Sequence, residues 1–400
     1  MRTMDETRYN SVIVRFGGEI GIKSPPVRLK YEGAVCKQIM RVLKHYQLPF
    51  EDVIHVYGRA YVLTTDAERV AERLTKIFGI SSVSPAIRTT SNLQDIIELS
   101  VRVAGLAFGE GSRFAVRCRR VGRQAYTSMD VCRAVGQAIL DSLADRALSV
   151  DLERPDHTLS IEVREDMAYV YLHTYEGPGG YPLGSQSRAV CLLSGGMDSP
   201  VACWLVMRRG CPIIPVYLDN TPYTDERARE KAIDTAKVLF EWAVGFPKRI
   251  YIVPHGQNLK EIKEKCPENL TCILCKRLMY RIAERIADRE NAEGIVTGEA
   301  IGEQASQTLS NLRILSQAVK NYPIHRPLLG LEKTEIEELA RKIGTYEISA
   351  RPAKNCTAAP KRPATRTNLK RVLEAEDKLD VDAMVDRSVR NAEILDLEHA

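Results

Sequence analysis

Residues 189–206, AVCLLSGGMDSPVACWLV, set a short apolar run, a glycine pair flanked by serines, one carboxylate and a second apolar run of longer period in direct succession. The first run reads as a buried strand and the second as a helix. A strand that turns at once into a helix belongs to wound α/β sheets, where ligands gather at the carboxyl ends of the strands. Gly195 and Gly196 are expected to let the backbone turn tightly and approach a polyanion. Ser194 and Ser199 offer hydroxyls, and the helix start near Asp198 offers unpaired amides at a positive dipole end. An acid beside phosphate is repulsive unless it contacts Mg²⁺ or caps the helix, so Asp198 is assigned one of those tasks. No Gly-Lys pair occurs in the chain, which excludes the phosphate loop that carries its own lysine.

The surroundings of that turn extend the reading. Short apolar runs at 189–193, 213–218, 249–253 and 294–297 alternate with helical stretches, the pattern of a parallel sheet wound on both faces. Before them, SVIVRF (11–16), a helix opened by Ser24 and Pro25, the alternating VIHVYGRAYVLTT and an amphipathic segment from Asp66 describe a small α+β unit. A second α/β unit follows, with helices over 92–109 and 128–145 and strands at 113–119, 159–163 and 168–173. EGPGGYPLGSQ (176–186) holds four glycines and two prolines and reads as a linker. Pro182 stands where a dinucleotide fingerprint needs its third glycine. The expected partition is therefore 1–75, 76–175, a linker at 176–188, and 189–400 ending in a surface-facing helical tail. No run of about eighteen uncharged apolar residues and no secretion signal is present, so a cytoplasmic protein without membrane contact is expected.

SGGMDS resembles the SGGxDS pyrophosphate loop of the N-type ATP pyrophosphatases, which cleave ATP between its α and β phosphates and transfer AMP to a substrate oxygen. Further stretches are similar, in order, to one group among them, the tRNA 4-thiouridine synthetases: GEIGIKS (18–24), IFGISSVSPA (77–86), GPGGYPLGS (177–185), VTGEAIGEQASQTLSNL (296–312), RPLLGLEKTEI (326–336) and IGTYEIS (343–349). The resemblance implies a ferredoxin-like N-terminal domain, a THUMP RNA-binding domain and a pyrophosphatase domain. It implies adenylation of the 4-oxo group of uridine 8 in tRNA and its replacement by sulfur, and in some members a role in thiamine synthesis. Leu192, Leu193, Tyr217 and Leu218 would flank the adenine. Lys276, Gly298 and Gln307 would complete the nucleotide pocket. Lys333 would stabilise charge as pyrophosphate leaves; Glu332 precedes it where the family commonly has Asp. ATP makes chemical sense here. Expelling the oxygen as hydroxide generates the conjugate base of an acid with a pKa of roughly 15.7. Adenylated, it leaves on a phosphate whose second pKa is about 6.

Ten dispersed cysteines, most of them in apolar runs, argue against a disulfide framework. The family's better-known bacterial members carry a rhodanese domain that holds a persulfide. The last cysteine here is Cys356, so the resemblance is to the type without that domain. Cys272 and Cys275 in TCILCKR, with Cys356 in AKNCTAAP, match the triad of that type, which implies an iron–sulfur cluster, nominally [4Fe-4S], with one iron open to sulfide. A zinc site, a redox disulfide, a persulfide on Cys356 and inert packing stay open, and Cys266 is a less favoured fourth ligand. The sulfur would come from a cysteine desulfurase persulfide or inorganic sulfide.

Charge is unevenly placed. RFAVRCRRVGR (113–123) has five arginines and no acid, and residues 351–371 hold seven Lys or Arg and no acid. Strand alternation would bury Phe114, Val116 and Cys118 and expose Arg117 and Arg119. With Arg120 and Arg123, and with Lys23 and Arg28 from the first unit, these would track the phosphates of folded RNA. Two other readings remain: an adenylating ligase that amidates a small molecule, and an RNA-binding protein with a vestigial nucleotide site. The arginine strand argues against the first and the intact SGGMDS against the second. A homodimer is expected from the family.

Overall fold

The computed structural model describes residues 8–398 as two compact units that divide between Gly180 and Tyr181. The first unit is built on β1 (Ser11–Phe16), the helical turn α1 (Gly18–Gly21), α2 (Pro25–His45), β2 (Asp52–Val56), β3 (Arg59–Leu63), α3 (Ala67–Leu74), β4 (Ile80–Thr90), α4 (Leu93–Ala107), β5 (Arg113–Arg120), α5 (Ser128–Ser142), β6 (Ser149–Val150), β7 (His157–Val163), β8 (Met167–Tyr171) and β9 (Tyr175–Glu176). Its strands run in the order β2-β3-β1-β4-β8-β7-β5-β6. The first four are antiparallel and interleaved with α2 and α3, which is the ferredoxin-like arrangement. β4 is long enough to serve twice. Residues 80–86 pair with β1 and residues 87–90 with β8, so one strand carries the chain from the ferredoxin-like half into the THUMP half without a connecting loop.

A buried carboxylate fastens these two halves. Glu162 on β7 is 1% exposed and lies 2.5 Å from Arg164, 3.4 Å from Arg59 on β3 and 3.6 Å from Arg15 on β1. The Tyr61 hydroxyl donates to it at 2.8 Å, and the Tyr61 ring stacks on Tyr169 at 4.4 Å. Burial alone would raise the Glu162 carboxyl; Arg164 and Arg59 outweigh it and hold the group below its ordinary value.

The second unit is the doubly wound sheet. It comprises β10 (Ala189–Leu192), α6 (Asp198–Arg208), β11 (Ile213–Asp219), α7 (Glu226–Glu241), β12 (Arg249–Pro254), α8 (Gly256–Lys265), α9 (Thr271–Glu290), β13 (Ile295–Val296), α10 (Leu309–Ser316), β14 (Ile324–His325), α11 (Lys333–Ile343), α12 (Tyr346–Ala350), α13 (Leu369–Glu376), α14 (Val381–Arg390) and β15 (Glu393–Asp396). The strand order is β14-β13-β10-β11-β12-β15, parallel except for β15. Strand order reverses on either side of β10, so the turn after β10 lies at the switch point where such sheets bind ligands.

Two expectations change. The Gly/Pro segment is not a free tether: Gly177 and Gly179 donate to Ser81 and Ile80, while Tyr181 and Gly184 donate to Arg208 and Gly210. Each end is hydrogen-bonded onto its own unit. The C-terminal tail is not a surface helix either. Val372, Ala375, Met384 and Val385 belong to the core, and residues 393–396 add an antiparallel edge strand to β12. The apolar positions of this tail are few, but they recur on one face of each helix, which is all that burial requires.

Candidate functional site

The turns after β10, β11, β12 and β13 all leave the sheet at its carboxyl edge, and they carry the chemistry. After β10 the serines close the loop on itself. Ser194 N donates to Ser199 Oγ at 2.8 Å, and Gly196 N donates to Ser194 Oγ at 3.2 Å. Neither Gly195 nor Gly196 has a left-handed backbone, which corrects the expectation that the turn itself demands them. Gly195 is required by packing, since a Cβ there would lie 2.6 Å from Lys231 Cβ. An equally tight contact at the loop, this time with main-chain atoms, comes from the turn after β13. A Cβ on Gly298 would lie 2.6 Å from Ser199 N and 2.7 Å from Ser199 Cα, so only glycine lets that turn rest on the start of α6.

Asp198 opens α6 without capping it. Its Oδ1 instead accepts from Lys333 Nζ at 2.7 Å, and Lys333 also donates to Glu303 at 2.5 Å. Burial pushes the Asp198 carboxyl up, opposed by the lysine. Burial alone would lower Lys333; the two carboxylates outweigh it and raise the ammonium. Lys333 is the first residue of α11, and Glu335 fixes that start by accepting from Glu332 N at 2.8 Å. Glu332 in place of the family's Asp therefore leaves the placement of Lys333 defined.

Beside this pair lies a charged cluster that the sequence reading met only through Lys276. Glu299, 4% exposed, accepts from Lys276 Nζ at 3.1 Å, Arg326 Nε at 2.7 Å, Tyr280 Oη at 2.5 Å and Thr297 Oγ1 at 3.1 Å. Burial raises its carboxyl and Lys276 leads the forces that bring it below the ordinary value. Burial pushes the Tyr280 phenol well up. Glu299 follows Gly298 in VTGEA and Arg326 opens RPLLG, so the signal was present as polar residues inside motif stretches. Leu193 is buried and its N–H donates to Val216 O at 2.9 Å, so that amide serves the sheet and is not available to an adenine. Leu192 is half-buried, and Tyr217 and Leu218 are buried on β11. Gln307 is 4% exposed, and its Oε1 is buried with no hydrogen-bond partner.

Cys272 and Cys275 lie at the start of α9, with Lys276 directly after Cys275, and Cys356 lies in the segment between α12 and α13. Cys275 is buried, with its Sγ 3.3 Å from His255 Nε2 in the turn after β12. Burial pushes its thiol far up, and Cys272 and Cys356 add to the shift; for Cys272 burial comes first and Cys356 second. Cys356 thus lies close enough to act on both thiols of α9. Cys266 is turned away and donates to Ala375 O at 3.3 Å.

The second unit matches the family described as Thiamine biosynthesis protein (ThiI) over residues 184–381, and the first matches the THUMP domain over 90–173 and the ThiI ferredoxin-like domain over 11–84. A probable tRNA sulfurtransferase of Methanosarcina mazei is 41% identical over 99% of this chain and 97% of that protein. The chain belongs to the tRNA sulfurtransferase family. The Thermoanaerobacter pseudethanolicus relative of the same name is 40% identical over 92% of this chain and 95% of that protein. Among solved structures, a 4-thiouridine synthetase in complex with RNA and with bound ATP is 33% identical, with a TM-score of 0.85, covering 97% of this chain and 99% of that one. A Pyrococcus horikoshii protein is 25% identical with a TM-score of 0.66, covering 84% and 99%.

Against that family, the metal expectations divide. Three soft thiols from two segments converge, the donor set an iron–sulfur cluster or zinc takes. As folded, they are not closed around a common centre: among the described residues no group of three or more His, Cys, Asp or Glu side chains stands as a metal site. The arginine strand is also used unevenly. Arg117, Arg119 and Arg123 are exposed, Arg117 donating to Leu152 O at 2.7 Å, while Arg120 is half-buried and donates to Gly122 O at 2.7 Å. Cys118 is half-buried, not buried as alternation suggested. Lys23 is half-buried. Arg28 is spent on the fold, with Nε 2.7 Å from buried Glu32 and its guanidinium 3.5 Å from the centre of the Tyr57 ring. In the basic segment 351–371, Lys354, Lys361, Arg362, Arg366 and Lys370 are exposed, whereas Arg351 pairs with Asp234 at 2.5 Å. No helix among the described residues is long and apolar enough to cross a membrane.

Proposed function

We propose that this chain is an ATP-dependent tRNA sulfurtransferase that adenylates the 4-oxo group of uridine 8 and replaces it with sulfur. The observation that carries the reading is the shared edge. The Asp198–Lys333 pair on the glycine loop and the thiols of α9 both lie at the carboxyl edge of one parallel sheet, bridged by Lys276, which follows Cys275 and binds Glu299 behind Gly298. Strands β10 and β12 are two spacings apart, about 10 Å, so an activated base and a sulfur carrier fit on one substrate.

The nucleotide pocket is formed by Ser194 to Ser199 for the phosphates and by Leu192, Tyr217, Leu218 and Gln307 for the rest of the nucleotide; the unpartnered Gln307 oxygen supports a ligand there. Asp198 and Glu303 are the oxygen donors that would hold Mg²⁺, which neutralises phosphate charge. Lys333, held between them, is placed to shift onto the departing pyrophosphate. Cys272, Cys275 and Cys356 are the residues that would hold an iron–sulfur cluster, whose open iron supplies a binding place for sulfide; free thiols would serve instead as persulfide carriers. Arg117, Arg119 and Arg123, with the exposed cations of 354–370, take the tRNA backbone.

The test is to incubate protein, ATP, Mg²⁺, a tRNA transcript and sulfide under anaerobic conditions. Expected are 4-thiouridine at position 8 and one AMP per sulfur inserted. AMP release without thiouridine under every sulfur source would overturn the sulfur half; absence of ATP–pyrophosphate exchange would overturn the adenylation half. Iron and sulfide analysis of the wild type and Cys272→Ala, purified anaerobically, decides between cluster and persulfide.

A further inference from the structure

His255 lies outside every motif stretch, and the proposed adenylation and tRNA-binding residues leave it unused. It is 0% exposed, sits directly after β12, and faces Cys275 with one ring nitrogen and Asn258 with the other. Which nitrogen carries the proton decides what it can do for the sulfur, and the hydrogen bonds around Asn258 determine that. Arg387 Nη2, from α14, donates to Asn258 Oδ1 at 2.7 Å and to Glu261 at 2.8 Å. A guanidinium only donates, so the oxygen of the Asn258 amide must face Arg387. Its Nδ2 then faces the other way, donating to Ser388 Oγ at 2.8 Å and meeting His255 Nδ1 at 3.3 Å. An amide nitrogen only donates too, so Nδ1 must accept and be unprotonated. The imidazole proton is left on Nε2, 3.3 Å from Cys275 Sγ.

We infer that His255 is a positioning residue of the sulfur site, holding the Cys275 sulfur with an Nε2–H donor whose tautomer is imposed from α14 through Arg387 and Asn258. This inference rests on the proposed role of Cys275 in sulfur delivery for its functional consequence, though not for its geometry. A donor aimed at sulfur favours the electron-rich forms that sulfur chemistry uses, whether thiolate, persulfide or metal-bound thiolate, and orients the lone pair that reacts. The C-terminal helix thereby belongs to the site, although it contributes no group that touches substrate.

The test has a spectroscopic part and a kinetic part. In protein labelled with ¹⁵N-histidine, the His255 signals are assigned by their loss in His255→Phe. Nδ1 is expected to resonate as an unprotonated nitrogen and Nε2 as a protonated one. Finding the proton on Nδ1 overturns the inference whatever the protein's activity. Arg387→Met, a change at a half-exposed position that leaves the core intact, is expected to mix the two tautomers; an unmoved spectrum overturns the relay. Kinetically, Arg387→Met and His255→Phe should lower thiouridine formation by about 10-fold or more while ATP–pyrophosphate exchange stays within about 2-fold, and Arg387→Lys should restore most of the first. Equal loss of both activities would mean a structural role only. Failure of exchange in the wild type would instead remove the proposed function and leave the tautomer result standing.

Discussion

Each of the two units buries one carboxylate in a ring of cations and a tyrosine hydroxyl, and the two are put to different uses. Glu162 joins strands β1, β3 and β7, with every partner belonging to the sheet framework. Glu299 takes Lys276 from α9 and Arg326 from the turn after β14, and its neighbour Gly298 rests on the first residues of α6. The physics is the same: desolvation opposes the charge and neighbouring cations overcome it. What differs is what the cations would otherwise do. Arg15 and Arg59 make their other hydrogen bonds inside the same framework, to Ser84 and Gly58, whereas Lys276 sits one residue from Cys275 and Arg326 begins the segment that ends in Lys333. A buried ion cluster made of framework residues welds, and one made of site residues also sets geometry.

The largest effect tests the site directly. On the proposed adenylation, which sets this carboxylate beside the developing charge, Asp198→Asn should lower AMP formation by about 10²-fold or more, while the melting transition moves little. An unfolded protein would show that Asp198 is part of the weld. Next comes Gly298→Ala, where the added methyl meets main-chain atoms that cannot rotate away. A loss of about 1–3 kcal/mol in stability is expected, together with a raised KM for ATP, measured by exchange kinetics.

The third prediction sets the two clusters against each other. Glu299→Gln and Glu162→Gln each leave buried cations uncompensated and should each cost about 3–5 kcal/mol by denaturant unfolding. Only Glu299→Gln should also depress thiouridine formation per folded molecule. If Glu162→Gln depresses ATP–pyrophosphate exchange equally, the distinction between weld and site fails.

How much of this was legible before the structure depends on the range of the interaction. The strands at 189, 213 and 249 and the loop at 194–199 are local patterns, and their readings match the folded elements because apolar period and turn chemistry act over a few residues. The edge strand 393–396 and the core face of the tail were not read, since pairing with β12 lies far away in sequence and leaves no local trace. Arg28 illustrates the same limit. Its partner Glu32 stands one helical turn on in the same helix, but that Glu32 is buried and that the Tyr57 ring covers the guanidinium are tertiary facts. The contact that excludes a side chain at Gly195, with Lys231 Cβ 2.6 Å from where its Cβ would lie, is a tertiary fact that no local pattern carries. His255 had no signal at all, a single histidine after a strand whose meaning comes from Asn258 and Arg387.

The smallest predicted effect concerns acid, and it again separates a buried pair from an exposed one. Glu376 on α13 is chelated by Arg277 and Arg281, with oxygens 2.7 to 2.9 Å from their nitrogens. Burial alone would raise its carboxyl, but the two arginines bring it down to about 2. Asp156 in the first unit is also brought down to about 2, chiefly by Arg113, yet it is solvent-exposed. A carboxyl lowered on folding contributes stability above its unfolded pKa of about 4.3 for Glu and 3.9 for Asp, and that contribution is lost as pH falls through the folded value. Both pairs should therefore weaken between about pH 4.5 and pH 2. The buried pair keeps its attraction in salt, while the exposed one is screened within a Debye length of about 10 Å at 0.1 M. Urea unfolding of Glu376→Gln across that pH range should show a flattened slope at both low and high salt. Asp156→Asn should flatten it only slightly, and only at low salt. Equal salt sensitivity of the two would mean that Glu376 is wetter than its packing against α9 allows, and the welds of the second unit would have to be sought among apolar contacts alone.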